Sequence, residues 1–119
     1  MSDSNPQSSQ SDPQFSNILA ECPELWDVVD MFARALPQTI QELQDALDQS
    51  AFDQLIESAR ALALSGGGHG YPELVAYASA IERSAREGMV KSLETQLAEL
   101  RSLTDRIREG IDSRSRIRD

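Results

Sequence analysis

Three features of the chain predict an all-α fold, an antiparallel four-helix bundle with a flexible N-terminal arm. From Pro23 onward apolar residues recur at three- and four-residue steps, which gathers them on one stripe of each helix. No segment alternates apolar and polar residues at period two, the pattern of a half-buried strand. The stripes are separated by short links, and short links favour antiparallel neighbours. With 119 residues, 39% of them hydrophobic, the chain suffices for one core and is too short for two ordinary domains.

Met1 to Asn17 is Ser, Gln, Asn, Asp and Pro with little apolar content besides Phe15, so it buries too little surface to offset its ordering entropy. The predicted organisation is a disordered arm over 1–17, a bundle over 18–113 and a frayed tail over 114–119. The first long stripe is Leu25, Val28, Val29, Phe32, Leu36, Ile40, Leu43 and Leu47, with Pro37 predicting a kink or a split. After a polar link at Asp48 to Ser50 comes Phe52, Leu55, Ile56, Ala59, Leu62 and Ala63, ending in Gly66 to Gly70. Tyr71 and Pro72 restart a helix, proline sitting in the first turn where its missing N–H costs nothing. Its stripe is Leu74, Tyr77, Ala78, Ile81 and Ala85, and Gly88 marks its stop. Val90, Leu93, Leu97, Leu100, Thr104, Ile107 and Ile111 then form a heptad seam holding one threonine. Such a seam is the inner face of an intramolecular bundle when three other helices need a partner, which predicts a monomer.

The formal charge of −9 and the pI near 4.5 argue against a nucleic-acid partner, because a phosphate backbone is repelled by that field. There is no positive segment leading into an apolar one at the N-terminus, and no apolar run near the roughly 20 residues of a spanning helix. A cytoplasmic location with no membrane partner is the expectation. The lone Cys22 permits no intramolecular disulfide and, with a single histidine elsewhere, builds no metal set. Paired carboxylates such as Glu42 with Asp45 or Asp27 with Asp30 fall on helix surfaces with no sign of a pocket and read as solvated faces. Neither a catalytic residue, nor a cofactor, nor a metal site is predicted, and the chain does not read as an enzyme.

The most informative stretch is Ser58 to Leu74, SARALALSGGGHGYPEL, followed by Ile81 and Glu82. It resembles the central motif of histidine-containing phosphotransfer (HPt) domains. In that family a helix carries His-x-Leu-Lys-Gly, then small residues, a Gly-rich turn with Gly-Phe-Pro or Gly-x-Pro, and a second helix ending near a Leu-Glu or Ile-Glu pair. The likeness in helix order spans about Glu24 to Ile111, but only Arg60 to Glu82 is specific. Laid on this chain, the family's phospho-accepting histidine falls on Arg60, its leucine on Leu62, its lysine on Ala63 and its first glycine on Leu64. Ser65, Gly66, Gly67, Gly68, Gly70, Tyr71, Pro72, Leu74, Ile81 and Glu82 keep the later landmarks.

The resemblance implies a bundle that has lost phosphotransfer. An HPt histidine works because a neutral imidazole nitrogen attacks the aspartyl-phosphate of a receiver domain while a lysine stabilises the phosphoryl charge. Arginine stays protonated and offers no such nucleophile, Ala63 supplies no charge, and Leu64 fills the space that glycine leaves for the incoming domain. What remains is docking: the face carrying Arg60, Leu64, Ala63 and Glu57 is expected to bind a response-regulator receiver domain or a histidine kinase, competing with an active HPt or sequestering the partner. Arg60 there would meet a carboxylate of the receiver pocket, and Leu64 would add apolar contact.

Each of these residues also has a plainer reading. Arg60 alone reads as a surface arginine whose stem covers apolar neighbours, and Leu64 equally well as a lone edge leucine. Gly66, Gly67, Gly68 and Gly70 read as the turn that closes one helix; as a phosphate loop they are a weak match, because they follow a helix and lack the Gly-Lys-Ser/Thr ending. His69 reads as turn packing, with an active phosphotransfer protein using His69 as the alternative. A second alternative is a helical scaffold unrelated to phosphorelay.

Overall fold

A computed structural model describes residues 16–118, and among them there is no strand. The elements are α1 (Asn17–Glu21), a 3-10 turn (Pro23–Leu25), α2 (Trp26–Asp48), α3 (Phe52–Gly68), α4 (Pro72–Arg86) and α5 (Val90–Arg118). The four long helices form a closed ring in which α2 packs on α3, α3 on α4, α4 on α5 and α5 back on α2. Their stripes meet in one core that includes Val29, Leu36, Leu43, Leu55, Leu74, Ile81, Leu97 and Ile107, each almost free of solvent. The chain therefore buries its apolar faces against one another, as the sequence pattern requires.

Two parts of the expected stripes lie differently. Leu25 and Val28 were expected inside and are 36% and 51% exposed, because the helix begins only at Trp26 and Val28 stands about 100° around it from the buried Val29. In α5 the seam gains Leu103, fully buried, while Val90 at its start is exposed. Pro37 does not split α2, which runs as one helix from Trp26 to Asp48. Proline there is exposed and removes a single bond to the carbonyl of Ala33, while buried Leu36 and Ile40 hold the turns on either side.

Three long helices end in the same device. After α3, Gly70 is left-handed (φ +83°), its N–H donates to the Gly67 carbonyl at 3.2 Å and the Tyr71 N–H to Gly66 at 2.9 Å. After α4, Gly88 (φ +68°) and Met89 donate to Ala85 and Ser84 in the same pattern. After α2 the left-handed residue is Ser50 (φ +56°), with Ser50 N–H to Leu47 at 3.0 Å and Ala51 N–H to Ala46 at 2.8 Å. Each is a Schellman closure, which satisfies carbonyls that the helix end leaves bare. Only the two glycine versions are visible in the sequence.

The expected glycine turn is shorter than predicted. Gly66, Gly67 and Gly68 are the last turn of α3, and only Gly70 lies in the reversal. Gly66 has a packing reason, since a Cβ there would lie 3.1 Å from Cγ and Cδ2 of the buried Leu74; the bare backbone lets α3 and α4 approach closely.

Of the arm expected over 1–17, positions 1–15 lie outside the described residues. Ser16 and Asn17 are bound to the turn after α3: the Ser16 hydroxyl donates to the His69 carbonyl and the Asn17 N–H donates to Gly70 O at 2.8 Å. Leu19 of α1 is buried in the core, so the segment is stapled at both a polar and an apolar point. At the other terminus α5 continues as helix to Arg118, through most of the segment expected as a tail.

Candidate docking site

The α3 stripe of Leu55, Ala59, Leu62 and Gly66 faces the core, which turns Glu57, Arg60 and Leu64 outward by the helical step of about 100° per residue. Leu64 is 75% exposed, unusual for a leucine, and Glu57 is exposed two turns before it. Ala63 lies closer in, half-buried and packed against the core, and so contributes to the edge of this face.

Arg60 is not a loose surface side chain. Its Nη2 donates across to α4, reaching Glu82 Oε2 at 3.0 Å, and Arg86 donates to the same oxygen from Nη2 at 2.9 Å and from Nε at 3.3 Å. The hydrogen bonds from Arg86, and then those from Arg60, hold the Glu82 carboxyl below its ordinary titration range. Glu82, at first only a landmark of the second helix, is thus the anchor of the Arg60 guanidinium. Its spacing of four residues to Arg86 is the one signal in the sequence that marks it as an ion-pair position.

The chain's one histidine lies elsewhere. His69 caps the C-terminal end of α3, half-buried, its ring parallel to Phe32 of α2 with centroids 4.2 Å apart and planes 5° from parallel. Its Nδ1 stands 2.7 Å from the Ser65 carbonyl, which accepts only, so Nδ1 donates, and in the neutral ring the lone pair falls on Nε2. Phe32 also lies 6.1 Å from the Tyr71 ring, making a small aromatic cluster over the turn.

Among the described residues no group of three or more His, Cys, Asp or Glu side chains is placed to hold a metal ion, and no helix is long and apolar enough to cross a membrane. The four long helices form one ring, and the outward face of α3 lies beside the turn at Gly70. The family model of the Hpt domain matches residues 27–110, and the chain belongs to that family. No curated protein and no solved structure matches the chain. Membership associates the protein with phosphorelay signalling, where Hpt domains carry phosphoryl groups between kinases and receiver domains.

Proposed function

We propose that this protein is an antiparallel four-helix HPt bundle that has lost its phosphorylatable histidine and binds a receiver domain or histidine kinase without accepting phosphate. In this reading Arg60 stands where the family's histidine would be, Ala63 where its lysine would be and Leu64 where its first glycine would be. The observation that carries it is the placement of Arg60: a guanidinium, half exposed and tied to Glu82, occupies the outward face of α3. Glu57, Arg60, Ala63 and Leu64 form the binding face, and the protein works by occupancy, as a monomer in the cytoplasm, competing with an active HPt or sequestering its partner.

A guanidinium that remains protonated cannot attack an acyl phosphate, but it can hydrogen-bond to the carboxylates that line a receiver pocket. Titration of the receiver domains of its own cell against the wild type and Arg60→Ala tests the reading. Loss of about 1 to 3 kcal/mol on Arg60→Ala is expected where the guanidinium meets a carboxylate. A receiver that binds Arg60→Ala and Leu64→Ala as tightly as the wild type places the interface elsewhere.

One observation favours a second reading. With Nδ1 donating to the Ser65 carbonyl, the neutral ring presents Nε2 as its nucleophilic nitrogen, the form an active phosphotransfer protein using His69 requires. Against it, the ring lies flat on Phe32 at the helix end, and no lysine accompanies it in the motif.

A further inference from the structure

Two arginines from different helices converge on a single oxygen. Arg60 of α3 and Arg86 of α4 both donate to Glu82 Oε2, and Glu82 and Arg86 line an open cleft of about 260 Å³ with Ser79 and Arg83. The carboxylate is the enclosed member, its side chain 22% exposed against 54% for Arg60 and 52% for Arg86. Glu82 is thus the least exposed of the three partners.

Each guanidinium has several N–H donors in a planar fork, and Glu82 engages one from Arg60 and two from Arg86. Donors remain on both for a second anion approaching from solvent. Because the carboxylate already fixes the two side chains, binding such an anion costs less rotamer entropy than gathering two free arginines. Arg60 and Arg86 against the single carboxylate of Glu82 leave one net positive charge at the point of convergence, on a chain of net charge −9. A spot of that size and fork geometry suits a compact dianion with several oxygens better than a single carboxylate.

We infer that the Arg60–Arg86 pair is a phosphoryl-binding site: in the docked complex it takes the oxygens of the receiver's aspartyl-phosphate, so the protein binds the phosphorylated receiver in preference to the bare one. The inference rests on the docking reading above and adds the state of the partner. No bond is made or broken; the phosphoryl group stays on the receiver.

Calorimetric titration of the wild type with receiver domains of its own cell, bare and loaded with beryllofluoride as the acyl-phosphate mimic, tests it. The loaded receiver is expected to bind at least about tenfold tighter. That ratio should fall toward one in Arg86→Ala and in Arg86→Lys, which keeps the charge and the fold but lacks the fork. It should persist in Arg34→Ala, an arginine of α2 paired with Asp30 and Asp112. Equal affinity for both states in the wild type, or a preference untouched by both Arg86 variants, overturns the phosphoryl site and leaves the docking reading standing. Absence of binding in either state overturns both.

Discussion

Arg60 on α3 and Glu82 on α4 are joined at 3.0 Å, so the outward face of one helix is held in place by the flank of the next. Arg86 reinforces the same carboxylate from one turn along α4, and the three side chains behave as a unit. Exposed ion pairs contribute little to stability, which makes presentation of the guanidinium the more consequential effect of this cluster.

The cluster predicts a specific pH response. Because the folded Glu82 carboxyl titrates below its ordinary value of 4.5, its contribution to stability is present above that value and is lost as the pH falls through the lower, folded one. The stability difference between the wild type and Glu82→Gln, followed by thermal unfolding, is therefore expected to favour the wild type at neutral pH, to shrink in acid and to be reduced by salt. A difference that grows as the pH falls contradicts this sign.

Adjacent leucines on α3 separate folding from binding. Leu62 is 4% exposed and Leu64 is 75% exposed. Leu62→Ala should cost about 2 to 5 kcal/mol in urea denaturation, whereas Leu64→Ala should stay within about 0.5 kcal/mol of the wild type. Equal losses at the two positions would mean that the face of the helix is assigned wrongly.

Three glycines near the end of α3 should respond in three ways to alanine. Gly68 is helical with open space around it, so Gly68→Ala should stabilise by about 0.5 to 1 kcal/mol. At Gly66 the new Cβ would also stand 3.3 Å from Leu74 Cβ, which moves only with the α4 backbone, so Gly66→Ala should cost about 1 to 3 kcal/mol. At Gly70 it would meet Ile18 N at 2.6 Å and Ser16 Oγ at 2.7 Å, besides the left-handed φ. Amide hydrogen exchange should then show α1 released from the turn in Gly70→Ala, with the long helices still protected; an α1 as protected as in the wild type would refute the staple.

Ser50 is the mirror case. It holds a left-handed conformation that glycine adopts without strain, so Ser50→Gly should raise stability by up to about 1 kcal/mol in chemical denaturation. A loss of stability would show that the hydroxyl, not the backbone, matters there.

Helical periodicity made the four long elements legible, since Leu93, Leu97, Leu100, Ile107 and Ile111 can share one face only if the backbone is helical. Gly88 announced its own closure because glycine is the usual left-handed residue, while Ser50 gave no sign, as nothing about serine marks that conformation. The close approach at Gly66 was hidden for a different reason: a glycine run reads as a loop, and only the neighbouring Leu74 shows why a small residue is needed inside the helix. Leu19 fell within the bundle expected over 18–113, but its place in the core carried no periodic signal, because a five-residue helix is too short to show one. At the candidate site the exposure of Arg60 and Leu64 followed from helical geometry, but the tether to Glu82 depends on how α3 and α4 are set against each other, which no single stripe encodes.

The central claim, that this HPt-family bundle docks without accepting phosphate, is tested most directly by incubating the wild type with the phosphorylated receivers and kinases of its own cell and assaying acid-labile phosphate on the protein. The account predicts none on the wild type, and transfer to the folded triple variant Arg60→His, Ala63→Lys, Leu64→Gly, which restores a nucleophile, a cation and space on the same backbone. Acid-labile phosphate on the wild type that disappears in His69→Ala would contradict it.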